Sequence, residues 1–281
     1  MNKTGIEWVR NPDGSQGYSW NPITGCLSNC SYCYARRLAS GRLRAKYLAN
    51  NILASHNEPN HKKHYADPFY PRFWPERLKE LHKAKSRTYG GGGTRVIRQR
   101  DTTSKGIFVC NMCEFFGDWV PADWQREIFN IIKANYQHRF YFLTKQPQNI
   151  FKFCPFPDNC WIGVTVCDKR MAFFVGRYYF NLAKAKVRFI SFEPLLEDVM
   201  EVFGQRIIEQ ADWVIIGSQT KPYNPPKIEW VQEMVEAADK AGKPVFLKDN
   251  LKPLLGNNLR QELPECKHPP YEGIEVFNRT A

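Results

Sequence analysis

Short apolar runs alternate with longer segments of helical period from residue 107 to residue 248. The runs are rich in Val, Ile, Phe and Trp, and several lack polar residues, which is typical of parallel strands covered on both faces. The segments between them repeat apolar residues at helical spacing. The pattern predicts strands at 107–110, 140–143, 161–166, 187–191, 213–216 and 245–248, and helices at 121–136, 168–183, 199–209 and 227–241.

The segment before this alternation has a different organisation. A predicted strand near 18–24 leads into three closely spaced cysteines, and a helix is predicted at about 34–48. The stretch from about 50 to 105 contains four prolines, a predicted helix at 76–85 and four glycines at 90–93, which indicate a flexible hinge. Repeated strand–helix units predict a parallel sheet. We therefore expect one α/β domain over 1–281, a partial or near-complete parallel (β/α) barrel with a basic insertion after its first strand–helix unit.

The composition is that of a globular protein. Apolar residues make up 43% of the 281 positions, enough for a sizeable core. The sequence contains no apolar stretch of the ~18–20 residues that a membrane span needs, and its start lacks the apolar segment of a secretory signal. Nine cysteines in a cytosolic chain are more often ligands, reactive thiols or buried residues than disulfides. We expect a cytoplasmic protein without a membrane partner.

The net charge is +12 and unevenly distributed. Between Asn60 and Lys105 there are twelve Lys or Arg against four Asp or Glu, a local charge of +8. Aromatic residues and histidines are interleaved with these cations. Lys and Arg bind phosphates, and aromatic rings stack on bases, so the insertion predicts a nucleic-acid partner, DNA or RNA. The alternative is a solvated face with aromatic residues packed on the barrel.

Cys26, Cys30 and Cys33 lie in the segment GCLSNCSYCYARRLA. Three thiolates at this spacing can bind three irons of one 4Fe–4S cluster, and the fourth iron then has no protein ligand. The alternatives are a zinc site or buried structural cysteines, but zinc motifs usually pair close CxxC units across a longer spacer. The segment follows a strand and precedes a helix, where the active sites of α/β barrels lie. We therefore predict an iron–sulfur site.

The same cysteines resemble the CxxxCxΦC pattern of the radical S-adenosylmethionine superfamily, with Tyr32 as the aromatic residue. The whole chain is more closely similar to a phage-associated branch of that superfamily, related to spore photoproduct lyase, a DNA repair enzyme. The blocks that carry this similarity are TGIEW (4–8), WNPITGC (20–26), CYARRLA (33–39), FWPERL (73–78), IFVCNMCEFFGDWVP (107–121), FYFLTKQP (140–147), WIGVTV (161–166), RFISFEPLLEDV (188–199), WVIIGSQT (213–220) and KPVFLKDN (243–250).

The resemblance implies a cofactor and an activity. In that superfamily the open iron binds the amino and carboxylate groups of S-adenosylmethionine, and an electron from the cluster cleaves a C–S bond to release a 5′-deoxyadenosyl radical. A reductase or flavodoxin-type donor would supply the electron. Tyr32 would contact the adenine, and Asn111 or Glu114 would contact the methionyl amino group.

Polar side chains follow the predicted strands at the edge where barrel sites lie. Thr165 and Glu193 are predicted cofactor-binding residues, since a carboxylate such as Glu193 can hold a ribose hydroxyl. For each candidate the alternative is a cap, a turn or a solvated side chain. The predicted substrate-binding residues are Lys145, Ser218, Gln219 and Lys248. The two lysines could bind a phosphate group.

The remaining cysteines have three interpretations. Cys110 and Cys113 form a second CxxC, and Cys154, Cys160 and Cys167 follow. An auxiliary iron–sulfur cluster is one interpretation, and buried free thiols are the favoured one. The third is that Cys113 or Cys167 donates a hydrogen atom to a substrate radical.

Three functions are consistent with these patterns. The favoured one is a radical enzyme that acts on nucleic acid, by lesion repair or base modification. The second keeps the radical chemistry with a peptide or small metabolite as substrate. The third is a metal-stabilised nucleic-acid-binding protein that is not an enzyme.

Overall fold

The computed structural model describes residues 1–54, 61–82, 85–88, 96–99, 103–182 and 184–265. Its strands are β1 (Asn2–Lys3), β2 (Tyr18–Trp20), β3 (Ile23–Thr24), β4 (Arg72–Phe73), β5 (Lys85–Thr88), β6 (Val96–Gln99), β7 (Gly106–Val109), β8 (Arg139–Thr144), β9 (Cys160–Thr165), β10 (Val187–Phe192), β11 (Trp213–Ile216), β12 (Gln219–Thr220), β13 (Tyr223–Asn224) and β14 (Val245–Leu247). Its helices are α1 (Tyr34–Ser40), α2 (Arg44–Leu48), α3 (His61–Ala66), α4 (Pro75–Leu78), α5 (Ala122–Ala134), α6 (Lys169–Leu182), α7 (Gln205–Gln210), α8 (Ile228–Lys240) and α9 (Lys252–Leu255).

Eight of the strands form one sheet in the order β1-β2-β7-β8-β9-β10-β11-β14. β1 pairs antiparallel with β2, and every other neighbouring pair is parallel. The predicted α/β class with a mostly parallel sheet is therefore confirmed. Within the described ranges the order is open, with β1 and β14 as its outermost strands.

The sheet is curved around the side chain of Trp8. The Trp8 ring lies 5.1 Å from the Phe108 ring on β7 and 6.0 Å from the Trp213 ring on β11, measured between centroids. These strands are four positions apart in the sheet, a separation of about 19 Å if the sheet were flat. One indole can contact both only because the strands bend towards it. We call the side of the sheet that contacts Trp8 the concave face.

Alternate residues of each strand face opposite sides of the sheet. The concave face carries a cluster of mainly aromatic side chains: Trp8, Val9, Phe108, Tyr141, Trp161, Val187, Phe189, Trp213, Ile215 and Phe246. The intervening strand residues pack with helices α5, α6, α7 and α8 in a larger apolar core on the other side. Burial on both sides explains why the strands are nearly continuous apolar runs.

Three predicted helices differ from the structure. The helix predicted at 34–48 is two helices, because Gly41 takes a non-helical conformation (φ −101°, ψ −116°) and ends α1. The helix predicted at 199–209 begins at Gln205, since Phe203 has a left-handed φ of 60° that interrupts the preceding turns. The helix predicted at 76–85 begins at Pro75, is α-helical to Leu78 and 3₁₀ to His82.

The described residues between β2 and β7 include two small antiparallel pairs. β3 pairs with β4, and β5 pairs with β6. The predicted hinge at 90–93 lies outside the described residues. No helix in the described part of the chain is long and apolar enough to cross a bilayer.

Candidate functional site

The cysteine segment is anchored at both of its ends. Gly25 has a left-handed φ of 94°, and a Cβ there would lie 2.4 Å from the Tyr70 carbonyl oxygen, so the position requires glycine. The next residue, Cys26, donates its N–H to the Phe69 carbonyl at 2.9 Å. At the other end, Cys33 is the N-cap of α1, and its sulfur accepts the Arg36 N–H at 3.3 Å. The insertion and α1 thus hold residues 26–33 between them, and we call these residues the cysteine loop.

All three thiols of the cysteine loop are free and half-buried. The Cys26 sulfur accepts the Ser28 N–H at 3.4 Å, and the Cys30 sulfur lies 3.8 Å from Lys145 Nζ. Burial raises the pKa of Cys26 to about 11, although the bonds from Ser28 oppose this effect. A thiol must lose its proton to bind a metal, so this residue is a neutral thiol until a metal or another cation replaces the proton.

The cysteine loop fits an iron–sulfur cluster in its donors but not in their arrangement. The three possible ligands are all sulfurs. Two of them, those of Cys26 and Cys33, accept backbone N–H groups, and such hydrogen bonds to sulfur are also found around iron–sulfur clusters. However, no three His, Cys, Asp or Glu side chains among the residues that the structure describes converge on a point that could hold a metal ion. The donor type and spacing fit a cluster, but in this structure the three thiols do not converge on one point.

Lys145 links the cysteine loop to the concave face. It follows β8, and its Nζ donates to the Tyr32 hydroxyl at 2.7 Å. That hydroxyl in turn donates to the Cys167 sulfur at 3.3 Å, just beyond β9. Burial alone lowers the pKa of Lys145, but the acidic groups of Cys167, Tyr32 and Cys30 outweigh it, so the pKa lies above its usual range. Lys145 is therefore a cation enclosed by two thiols and a phenol.

Glu114, in the segment that follows β7, supports this arrangement. Its side chain is 6% exposed and accepts from the Thr144 hydroxyl at 2.5 Å, the Lys145 N–H at 2.8 Å and the Phe116 N–H at 3.3 Å. Burial raises the pKa of this carboxyl, and the three hydrogen bonds oppose the rise. Glu114 fixes the backbone of Lys145 and so the direction of the lysine.

Glu193 and Lys248 form a second charged group at the same edge. Lys248 Nζ lies 2.5 Å from Glu193 Oε1 and 3.4 Å from Glu7 Oε2. Burial acts against the charge on Lys248, but the two carboxylates raise its pKa above the usual range. Gly217 allows this approach, because a Cβ there would lie 3.1 Å from both Glu193 Cγ and Lys248 Cδ. The Glu193 carbonyl also accepts from the Cys167 thiol at 3.6 Å, which connects the two groups.

Four of the predicted cofactor- and substrate-binding residues lie outside these two groups. Asn111 Oδ1 accepts from Asn21, and the Asn111 carbonyl accepts from the Tyr34 hydroxyl beside Cys33. Thr165 is buried on β9, in register with Ser191 on β10. The other two follow β11. The Ser218 N–H donates to Asn250 Oδ1, and the Gln219 side-chain amide donates to the Pro222 carbonyl in the β12–β13 turn.

Two contributors to the site were not predicted from the sequence. Glu7 lies next to Trp8 and reaches Lys248 from the amino-terminal segment. Asn250 donates to Glu193 Oε1 at 3.2 Å and to the Ser218 carbonyl at 2.9 Å. Asn250 was detectable, because it follows Lys248 by two residues at a strand end. Glu7 was not, since its contact is with a residue 241 positions away.

The structure describes five of the six cysteines outside the loop, and all five are free thiols. Cys110, Cys160 and Cys167 are buried, and Cys113 and Cys154 are half-buried. The favoured prediction of free thiols agrees with this distribution. For an auxiliary cluster, no suitable set of ligands converges in the described ranges.

The described part of the insertion serves mainly to build the fold. Phe69, Tyr70, Phe73 and Trp74 are buried, which agrees with the alternative that the aromatic residues of the insertion pack on the fold. Arg72 is fully buried and donates to five backbone carbonyls, of Asn50, His64, Tyr65, Asp67 and Tyr70. These donations hold the turn whose Phe69 carbonyl receives the Cys26 N–H.

The fold and the site define an α/β protein with a curved, mostly parallel sheet and a cysteine loop against the polar carboxyl edge of that sheet. Residues 3–253 match the DUF5131 family, described as proteins of unknown function, and the chain belongs to that family. No curated protein and no solved structure matches the chain.

Proposed function

We propose that this protein is a radical S-adenosylmethionine enzyme with a partial (β/α) barrel of that type, in which Cys26, Cys30 and Cys33 hold a 4Fe–4S cluster. One observation carries the proposal. The cysteine loop is joined by Tyr32 and Lys145 to the polar carboxyl end of the concave face, where an α/β barrel places its chemistry. The motif's resemblance to that superfamily supports the same conclusion.

The cofactor would supply the reactivity, since reductive cleavage of S-adenosylmethionine at the cluster yields a 5′-deoxyadenosyl radical. The protein's own residues bind and orient. Tyr32, Asn111, Glu114, Thr165 and Glu193 are the proposed contacts of S-adenosylmethionine. A carboxylate has about four acceptor positions. The protein uses both positions on Glu114 Oε1 and one on Oε2, so one position on Oε2 is left for the methionyl ammonium group. The buried aromatic cluster beneath the site excludes water from one side.

The proposal requires the three thiols to rotate towards one point. All three are half-buried, and the ends of the loop are held by backbone hydrogen bonds rather than by these side chains alone. The Cys33 sulfur must leave its capping position over α1 or keep the Arg36 N–H as a donor when it binds iron.

Nucleic acid is the proposed substrate class, and the surface next to the cysteine loop supports it. Helices α1 and α2 carry five Lys or Arg and no acidic residue over 34–48. Arg37, Arg42, Arg44 and Lys46 are exposed. Phosphates bound along this surface would bring a nucleotide to the carboxyl edge of the sheet. Lys145, Lys248, Ser218 and Gln219 are the proposed contacts nearer the reacting atoms.

Cys167 is better placed than Cys113 to donate a hydrogen atom. Its thiol belongs to the Tyr32–Lys145 group, whereas the Cys113 thiol faces Cys110 and Cys26. If the reaction ends with such a donation, Cys167→Ala should lower product yield while 5′-deoxyadenosine still forms. Full product yield from Cys167→Ala would remove this role.

The test is an anaerobic cleavage assay. The full chain is reconstituted with iron and sulfide, reduced with dithionite and incubated with S-adenosylmethionine alone, with DNA or with tRNA. We expect a brown protein that releases 5′-deoxyadenosine, with more released in the presence of its substrate.

Cys154→Ala is the matched control, because Cys154 is a half-buried cysteine outside the loop. It should retain iron, whereas Cys30→Ala should not. A colourless protein that binds zinc at Cys26, Cys30 and Cys33 would overturn the proposal and leave the non-enzymatic alternative. If a peptide or small metabolite increases the release of 5′-deoxyadenosine and nucleic acid does not, the substrate class is the peptide or metabolite instead.

A further inference from the structure

Cys110 and Cys113 lie at the two ends of one tight turn after β7. The Cys113 N–H donates to the Cys110 carbonyl at 2.9 Å, the bond between first and fourth residues that closes a β-turn. Such turns bring the first and fourth Cα atoms within about 7 Å of each other, and disulfides join Cα atoms roughly 4.4–6.8 Å apart. The backbone is therefore already at the spacing of a disulfide.

The two thiols of this turn are neighbours, and both are free. Burial raises the pKa of Cys113 well above its usual range, and the neighbouring Cys110 raises it further. Cys110 has a left-handed φ of 58°, and its N–H is held by the Trp20 carbonyl at 2.7 Å, so the turn is fixed on the neighbouring strand. Cys110 is 2% exposed and Cys113 is half-buried, which makes Cys113 the entry point for a reagent.

We infer that Cys110 and Cys113 form a redox-active dithiol that is converted reversibly to an intramolecular disulfide. The oxidant is a small-molecule disulfide such as oxidised glutathione. Cys113, as the thiolate, attacks one sulfur of that disulfide and displaces one thiolate. Cys110, as the thiolate, then attacks the mixed disulfide and displaces the second. Two protein thiols are oxidised, and one disulfide is reduced to two thiols that take up the two protons.

The pair is in contact with the strand that leads to the cysteine loop. Met112, inside the turn, accepts the Gly25 N–H at 2.9 Å, and Cys113 forms a parallel bridge with Gly25. A change in the turn is therefore transmitted to the residue before Cys26. The pair includes none of the proposed cluster ligands, so its test does not depend on the proposed function.

Trypsin provides a specific readout. Cleavage after Lys105 and Arg126 releases a peptide, residues 106–126, whose only cysteines are Cys110 and Cys113. The full-length protein is equilibrated anaerobically in glutathione buffers of increasing oxidation, quenched with acid, and labelled with N-ethylmaleimide in denaturant. Mass spectrometry then counts the labels on this peptide.

We expect two labels on the peptide in reducing buffer, and none in oxidising buffer, with a mass two hydrogens lower before labelling. Dithiothreitol should restore both labels. Cys113→Ser should leave one label or one glutathione adduct, and Cys154→Ser should behave like the unchanged protein. Two labels at the most oxidising ratio, or a cross-link from this peptide to the one that contains Cys26, would overturn the inference.

Discussion

The two ends of the concave face are built from the same strands but differ in their chemistry. At the amino end, Trp8, Phe108, Tyr141, Trp161 and Trp213 form a packed aromatic group. At the carboxyl end, the same alternation of residues brings Lys145, just after β8, and Lys248, just after β14, to this side of the sheet. The difference shows that one curved sheet can give its two ends different roles. Packed apolar rings at the amino end stabilise the fold, and they support the ion pairs and thiols at the carboxyl end, where the proposed chemistry takes place.

Removal of a loop cysteine should have the largest effect on function. Cys30→Ala should reduce iron content and 5′-deoxyadenosine release to background, because a cluster cannot form with two thiolate ligands from this loop. Iron analysis and the anaerobic cleavage assay measure both. Without iron, the free energy of unfolding of the Cys30→Ala variant should be close to that of the unchanged protein, since Cys30 is only half-buried. A variant that keeps iron would place the cluster elsewhere.

Removal of the central indole should have the largest effect on stability. Trp8→Ala should lower the free energy of unfolding by about 3–5 kcal/mol, because a fully buried ring that contacts β7, β8, β10 and β11 is lost. Denaturant unfolding measures this change. Phe151→Ala, at a 53% exposed ring, is the matched control and should change the value by roughly 0.5 kcal/mol or less. Similar losses from both variants would contradict the central packing of Trp8 in the concave face.

The ion pair at the carboxyl end should contribute less to stability, and in a pH-dependent way. Lys248→Met should cost about 3 kcal/mol near neutral pH, because it leaves Glu193 and Glu7 without their cation. The Lys248→Met/Glu193→Gln double variant should recover part of this loss.

The pH dependence of this loss follows from the raised pKa of Lys248. The stabilisation is complete below the ordinary lysine pKa of about 10.4 and is lost as the pH rises through the higher folded pKa. The difference between Lys248→Met and the unchanged protein should therefore narrow above about pH 10.4. Unfolding free energies measured from pH 8 upwards test this, and a constant difference would contradict it.

The smallest expected effect lies on the basic surface beside the cysteine loop. Arg44→Ala should weaken binding of single-stranded nucleic acid a few-fold and reduce the slope of log K against log salt by about 0.7, the value for one lost phosphate contact. Fluorescence anisotropy at several salt concentrations measures both. Arg126→Ala, at an exposed arginine on α5, is the control and should change neither. Equal slopes for both variants would remove this surface from the proposed interface.

Local pattern was sufficient to locate most of the sheet. The strand at 213–216 was predicted with its observed bounds, and the strands at β8, β9 and β10 were within one residue at each end. Continuous apolar runs identify buried parallel strands because both of their faces are covered. The helices predicted at 34–48 and 199–209 were wrong in their bounds. In each, the periodic apolar pattern continues through a residue with a non-helical backbone, Gly41 in the first and Phe203 in the second.

The position of the candidate site was predicted, but its contacts were not. Strand order brings the carboxyl ends together, so Glu114, Lys145, Glu193 and Lys248 were all expected at one edge. Which side chains meet depends on the curvature of the sheet and on Gly217, whose lack of a Cβ lets Glu193 approach Lys248.

The sequence by itself determined the alternating α/β organisation, the cysteine spacing and the concentration of positive charge, since each is a local property of the chain. Only the tertiary structure decided that Trp8 lies at the centre of the concave face, that Glu7 reaches Lys248, and that the aromatic residues at 69–74 are buried. These contacts join residues distant in sequence, and their geometry is set by how strongly the sheet bends around one indole.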